Sequence, residues 1–294
     1  MHDLMTTREV ADYLRIKERK VYGLVQARRI PCSRVTGKWL FSRAMIDLWV
    51  LHSTDYPGGA VRPQAPPVLG GSHDPLLEWA ARESGSQLAI LFDGSLDGVQ
   101  RMLRREVCAC GVHVIDSTDG SYNVHLIDHD LGLAEALLLQ WAWRDQGLIV
   151  AAGNPLQLHS LADVVQRGVR VVDRQESAGS HLLLAHLLTP LGARTEQLNR
   201  VTPAARNESD AALAIADGIA DAALGIAAVA RQYRLEFVPL HRERYDLLLS
   251  RRDCFEPPLQ ALLNFARTPA FADKARNLGG YDIGGLGKVI YNAP

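Results

Sequence analysis

Cysteine is scarce in this 294-residue chain, with only Cys32, Cys108, Cys110 and Cys254, and no CxxC pair is present. That excludes a disulfide framework and a thiolate zinc site, and leaves the Cys108/Cys110 pair as two small buried apolar residues. Aromatic residues make up 6% of the chain. The longest apolar run, LGLAEALLLQWAW at 131–143, is interrupted by Glu135 and falls short of the ~20 residues a membrane span needs. The N-terminus carries Asp3 and lacks the apolar core of a secretory signal, so the expected location is the cytoplasm, with no membrane partner. P-loop, GxSxG and HExxH motifs are also missing, and the GGLGK at 284–288 lies outside a strand–loop–helix context. His125, His129, His159, His181, His186 and His241 are dispersed, without metal-ligand spacing. These absences predict neither an enzyme nor a metalloprotein, and no cofactor.

An excess of either charge is missing too, with 32 Lys/Arg against 33 Asp/Glu and a formal net charge of −1. The balance is a cancellation. Residues 54–71, TDYPGGAVRPQAPPVLGG, hold four prolines and four glycines and read as a linker. Before it, residues 1–53 carry ten basic residues against five acidic, or +5. The remainder carries 22 against 28, or −6. Three segments are therefore expected: a basic head at 1–53, the linker at 54–71 and an acidic body at 72–294.

Between Arg15 and Lys38 the head holds eight basic residues and one acid, Glu18, a density suited to a phosphate backbone. Helical spacing predicts a first helix in TREVADYL with Thr7 as N-cap, and a second in ERKVYGLVQARR that buries Val21, Leu24 and Val25. IPCSRVTGKWLF follows, two strand-like runs about Thr36-Gly37, and then a third helix, SRAMIDLWV, headed by Ser42. This order over TTREVADYL…SRAMIDLWV resembles the excisionase family of winged helix-turn-helix domains related to MerR regulators. The resemblance implies double-stranded DNA as partner, with Arg19, Lys20, Tyr22 and Gln26 facing bases and Arg28, Arg34 and Lys38 holding phosphates. Packing in a small core is the other role open to Tyr22 and Trp39. So small a head offers few base contacts, which predicts a homodimer on paired half-sites.

From residue 72 strand-like runs alternate with helical ones, implying an α/β body with a mostly parallel sheet. LAILF (88–92), VHVID (112–116), VHLID (124–128), LIVAAG (148–153), VRVVD (169–173), AALGI (222–226), FVPL (237–240) and YDLLLS (245–250) read as strands. LDGVQRMLRREV, GLAEALLLQWAWRDQ, SHLLLAHLLTPLG and ESDAALAIADGI read as helices. About 220 residues is long for one such unit and suggests two lobes. Three strand-to-helix turns, GSHDP, DGSLDG and QESAGSH, carry Ser and Gly where helix-start N–H and O–H groups cradle small anions.

The segments GGSHDPLLEW, DGSLDGVQRM, YNVHLID, GLIVAAGNP, VVDRQESAGSHLLL, ADGIADAALGI and FVPLHRERYDLLLS resemble the two-lobed type 2 periplasmic-binding-protein fold. The resemblance is to its cytoplasmic branch, found behind helix-turn-helix heads and in molybdopterin-associated proteins. It implies a ligand held by Ser72, His73, Asp74, Ser95 and Asp97 from one lobe, by Tyr122, Asn123, Arg174, Ser177, Gly179 and Ser180 from the other, and by Tyr245 where the chain returns. Asp217 and Asp221 either approach the cleft or cap helix ends. Relatives more often end the third turn in Thr-Arg; here it reads QESAGSH, with His181 in the cationic place and Glu176 adding an acid. The expectation is a transcription regulator sensing a small anionic ligand, molybdate or tungstate. The alternatives are a molybdenum-cofactor-like or other organic ligand, or an architectural excisionase-like DNA-binding protein with no ligand.

Overall fold

The structure, a computed structural model, describes residues 4–35, 37–52, 64–128, 133 and 135–292. Thr36 of the hairpin turn, His129, Ser53 at the end of the expected head and residues 54–63 of the expected linker lie outside them. The described chain forms two compact units, one holding residues 4–52 and the other everything from 64 onward. No helix among the described residues is long and apolar enough to cross a membrane.

The head is a three-stranded antiparallel sheet, order β1-β3-β2, with three helices. Its elements are β1 (Leu4–Thr6), α1 (Thr7–Tyr13), α2 (Glu18–Gln26), β2 (Ser33–Val35), β3 (Lys38–Ser42) and α3 (Arg43–His52). The cap of α1 is Thr6 rather than the expected Thr7. Its hydroxyl accepts from Glu9 N at 3.3 Å while Glu9 Oε2 takes the Thr6 N–H at 2.7 Å, closing a capping box one residue earlier. Val35 pairs with Lys38, so the hairpin turns in two residues, and Gly37 at φ +80° supplies the backbone such a turn needs. Met5, Val10, Ala11, Val21, Val25, Ile30, Phe41 and Ile46 form the core.

The body is built on one ten-stranded sheet. The path β5-β4-β6-β11-β7-β10-β8-β9 uses β4 (Val68–Gly71), β5 (Ala89–Phe92), β6 (Ala109–Val112), β7 (Ala136–Val150), β8 (Arg170–Arg174), β9 (Asn199–Ala205), β10 (Ala222–Ile226) and β11 (Glu236–Ser250). The short β12 (Tyr281–Asp282) and β13 (Val289–Asn292) pair with β7. Around the sheet lie α4 (Pro75–Glu83), α5 (Ser95–Leu103), α6 (His125–Asp128), α7 (Leu161–Arg167), α8 (Gly179–Leu188), α9 (Glu208–Ala216), α10 (Ala227–Gln232), α11 (Arg251–Cys254), α12 (Pro257–Phe265) and α13 (Pro269–Leu278).

Five expectations are corrected here. Val68–Gly71, read as the end of the linker, is strand β4, hydrogen-bonded in parallel to both β5 and β6. Of residues 132–146, read as a helix, 136–146 form most of β7. A run that is apolar on both faces carries no helical or strand period, and this one is buried on both faces. VHVID is displaced, because the strand is Ala109–Val112, and VHLID contributes the one-turn helix α6 instead of a strand. The sheet is mixed: β4-β5, β4-β6, β8-β9 and β8-β10 are parallel, whereas β11-β6, β11-β7 and β7-β10 are antiparallel.

Strands β7 and β11, fifteen residues each, run side by side and serve two lobes. At one end β11 pairs with β6 through 246–249, over a core holding Leu69, Leu77, Trp141, Leu247 and Phe271. At the other β7 pairs with β10 through 146–150, between cores built on α7 and α8 on one face and on α9 and α10 on the other. Cys108 and Cys110 are buried in β6; burial pushes the Cys108 thiol up to about 11, so both behave as small apolar residues.

Candidate nucleic-acid face and interlobe cleft

In α2 the buried Val21 and Val25 face the core. Arg19, Tyr22, Gly23 and Gln26 fall on the other side at spacings of three and four, and all are exposed. Lys20 lies exposed beside that stripe, as does Arg28 just beyond the helix at φ +53°. Arg34 and Lys38 are exposed on the hairpin, and the Arg34 guanidinium stands 5.2 Å over the Trp39 ring. An added Cβ at Gly23 would meet nothing within 4 Å. The stripe is shallow at its centre and cationic around it, a shape suited to a base-lined groove between phosphates.

In the body the three Ser/Gly turns meet. The β5–α5 turn touches the α8 turn directly: Leu96 N donates to Ser177 O at 3.1 Å, Ser177 Oγ to Asp93 O at 3.4 Å and Gln175 Nε2 to Asp93 Oδ1 at 3.0 Å. Gly94, at φ +103°, permits that approach, since an added Cβ would lie 3.0 Å from Ser177 O. The β4–α4 turn reaches the same place through His113, which follows β6. Ser72 Oγ is 2.8 Å from His113 Nε2, and an added Cβ at Gly179 would lie 2.6 Å from His113 O and 2.8 Å from its ring. The lobes are therefore closed on each other at these turns.

Behind the turns lies a buried polar network strung along β7 and β11. Glu243, fully buried, accepts from His113 Nδ1 at 2.8 Å through one oxygen, and from Arg144 Nη2 and, at 3.0 Å, Gln146 Nε2 through the other. Burial opposes its charge, yet Arg144, His113 and the hydrogen bond from Gln146 outweigh that and lower it to about 2. The Arg144 guanidinium also reaches Asp74 Oδ2 at 3.0 Å and stacks 4.2 Å over Tyr245. Beside it Asp246 accepts from Asn123 Nδ2 at 2.7 Å and Arg244 Nε at 2.9 Å; burial nevertheless pushes its carboxyl up to about 6. Among the buried polar atoms near the lobe junction that find no protein partner are Gln146 Oε1, Gln175 Oε1, Ser180 Oγ, Arg174 Nε and Glu208 Oε2.

The residues expected from sequence divide by how they are used. Ser72, Ser95, Ser177, Gly179 and Ser180 lie in the converging turns, with Ser95 Oγ accepting from His113 N at 3.3 Å. Asp74 caps α4 through Leu77 N at 2.7 Å and spends its other oxygen on Arg144 and Tyr281. Asp97 pairs with Arg101 along α5, and Arg174 with Glu208 at 2.9 Å. The Tyr245 hydroxyl donates to Ser72 O at 2.6 Å. Asn123 braces the loop after His113, accepting from Val114 N at 2.6 Å, and the Tyr122 hydroxyl lies 2.8 Å from His241 Nε2. His73 pairs with Glu78 at 2.9 Å. Asp217 is the C-cap of α9 and Asp221 pairs with Arg170, while Glu176 is exposed.

Sequence reasoning missed His113, Arg144, Gln146, Glu208 and Glu243. Its available signal was charge set inside an apolar run, as in LLLQWAWRDQGLIV and FVPLHRERYDLLLS.

Residues 4–52 match the helix-turn-helix domain family, and residues 77–267 match the PBP superfamily domain. The uncharacterized protein YvgK of Bacillus subtilis is 26% identical over 199 residues, which take in 68% of this chain and 64% of that protein, just under two thirds of its length. An uncharacterized protein from the 5′ region of a 2Fe-2S ferredoxin gene of Clostridium pasteurianum is 32% identical over 77 residues, covering 26% of this chain and 68% of that one. Among solved structures, a putative phosphate ABC transporter substrate-binding protein from Clostridium perfringens, with bound phosphate, superposes with a TM-score of 0.51 at 11% identity. It covers 76% of this chain and 98% of its own. The sulfate-binding protein SubI of Mycobacterium tuberculosis superposes at 0.50 and 16% identity, covering 73% and 85%. The chain thus carries an N-terminal helix-turn-helix domain, and by its body it belongs to the PBP superfamily.

Proposed function

We propose that the protein is a one-component transcription regulator: the head binds duplex DNA as part of a homodimer, and the body captures a small tetrahedral oxyanion in the interlobe cleft. The observation that carries the ligand half is the set of buried polar atoms without protein partners, Gln146 Oε1 and Ser180 Oγ foremost, beside three Ser/Gly helix starts that meet. A buried polar atom left unpaired costs about 1–3 kcal/mol, and a ligand that pairs it returns that energy only when the lobes are closed. Ligand then favours the closed state by its differential affinity for it, which is the requirement for a switch. In this reading Ser72, Ser95, Ser177, Gly179 and Ser180 contact the ligand. Asp74, Asp97, Asn123, Arg174 and Tyr245 act as supports, being engaged with Leu77, Arg101, Val114, Glu208 and Ser72. Phosphate, bound in one structural neighbour, and sulfate, from which another takes its name as a sulfate-binding protein, belong to the same chemical class as molybdate and tungstate.

The test uses the full-length protein. Duplexes selected from a random pool are expected to contain paired half-sites. Phosphate, sulfate, molybdate or tungstate is expected to raise the thermal midpoint and to change affinity for the selected duplex. A ligand at a hundred times its Kd adds about 2.7 kcal/mol, a readily measured shift. Specific DNA with no response to any anion removes the sensor half and leaves an architectural DNA-binding protein; no selected duplex removes the regulator.

A further inference from the structure

We infer that the groove where α4, α10 and α13 meet is a second ligand site, apart from the Ser/Gly turns of the cleft, and that it takes a small phosphorylated polyol of the sugar-phosphate class.

The groove encloses about 580 Å3, within the range of small-molecule sites. Its walls come from both lobes. Helices α4 and α13 pack on the core that holds Leu69 and Trp141, whereas α9 and α10 pack on the core that holds Ile149 and Val172. Leu278, at the end of α13, packs against both cores. Of the cleft residues expected from sequence only His73 lines the groove, so a ligand here leaves the Ser/Gly turns untouched.

The chemistry of the walls sets the ligand. Arg82 is answered by Glu78, which also holds His73. Arg231 from α10 and Lys274 from α13 are not answered, since neither forms an ion pair or a hydrogen bond with a described residue. Lys274 Nζ stands 5.3 Å over the Trp79 ring, and Arg231 lies along Gly279, where an added Cβ would come within 3.0 Å of Nη1. Two uncompensated cations, one from each lobe, suit a group that carries close to two negative charges, as a phosphate monoester does at pH 7.

The groove also presents Glu83, Ser209, Gln232 and Asn277, whose side chains form no hydrogen bond with described residues. Carboxylate, hydroxyl and amide groups match hydroxyls, which both donate and accept. His73 Nδ1 is buried without a partner, while Nε2 lies 2.9 Å from Glu78 Oε2. A hydroxyl satisfies Nδ1 in either tautomer, as donor to a bare nitrogen or as acceptor from an N–H. A flat base finds no such match, because the Trp79 ring is taken up by Lys274 and by Phe265, 5.3 Å away. The ligand this combination selects is a chain or ring of hydroxyls ended by a phosphate.

The experiment is calorimetric titration of the full-length protein, at fixed ionic strength, with glycerol 3-phosphate, ribose 5-phosphate and glucose 6-phosphate, each beside its unphosphorylated polyol. At least one phosphorylated polyol is expected to bind at a single site per chain with a Kd below about 1 mM. Its unphosphorylated form is expected to bind at least about tenfold more weakly, the loss of charge-assisted hydrogen bonds. Sulfate at about ten times its own Kd is expected not to displace it. Arg231→Ala with Lys274→Ala is expected to weaken it at least about tenfold and to leave sulfate affinity within about twofold of wild type. The inference is overturned if all three phosphates bind no tighter than about 1 mM, or if the unphosphorylated polyol binds as well. Displacement by sulfate, or unchanged affinity in the double variant, overturns it as well by moving the ligand out of the groove. If sulfate itself does not bind, the oxyanion reading is weakened while the double variant still decides for or against the groove.

Discussion

The head and the body use their charged residues in opposite ways. In the head Arg19, Lys20, Arg28, Arg34 and Lys38 are exposed around a small apolar core that needs none of them. In the body Asp74, His113, Arg144 and Glu243 lie inside, each answered by another. Exposed charge costs little to keep and acts on whatever approaches. Buried charge must be solvated by the protein itself, so folding and ligand capture draw on the same groups. Mutations should therefore separate binding from stability in the head and fail to separate them in the body.

The strongest test of that contrast is Arg144→Met. It strands Asp74 and Glu243 as uncompensated buried carboxylates and is expected to cost about 3–5 kcal/mol in urea unfolding. A loss below about 1 kcal/mol would mean the network is not coupled to folding. The matching change in the head is Arg19→Ala with Lys20→Ala, expected to leave unfolding within about 0.5 kcal/mol of wild type. It should lower DNA affinity and reduce the salt slope by about one for each phosphate left without its cation. An unchanged slope would move the DNA face away from α2.

Acid titration probes the buried groups from another side. Asp246 is raised from 3.8 to about 6 by burial, so its favoured protonated form stabilises the fold at low pH, and that contribution is lost as pH rises through 6. Glu243 is lowered from 4.5 to about 2, so its contribution is present above 4.5 and lost as pH falls toward 2. Stability is expected to rise as pH falls from 7 to 5 and to drop below 4, with the first limb absent in Asp246→Asn. The smallest effect is expected at Gly23→Ala, where the open surface of α2 accepts a methyl group. It should stabilise the head by up to about 1 kcal/mol and weaken DNA binding if that stripe enters a groove. Unaltered DNA affinity would place Gly23 outside the interface.

The head was legible in the sequence because its signals are local. Caps, a two-residue turn and the Val21/Val25 spacing lie within a few residues of what they control, and Thr7 for Thr6 as cap is a slip of one position; what escaped is β1, whose partner β3 is distant in the chain, and Leu24, which is only half-buried. In the body the helix starts were equally readable: Asp74 before Pro75 and the Ser/Gly turns at α5 and α8 stand where expected. What was hidden is pairing at long range. Arg144 and Glu243 are 99 residues apart and meet only because β7 and β11 run in register. Residues 136–150, apolar on both faces, gave periodicity nothing to distinguish a strand from a helix.

The shared strands set how the lobes can part. Because β7 and β11 are hydrogen-bonded from Glu236–Val150 to Ser250–Ala136, there is no slack loop at the waist to act as a pivot. The ladder is interrupted only at Pro239/His241 and Tyr245/Asp246, where the register shifts. Amide hydrogens at those two interruptions should therefore exchange with solvent sooner than their neighbours, and ligand should slow them. The waist of the sheet would then be its own gauge of opening, readable without knowing what the cleft holds.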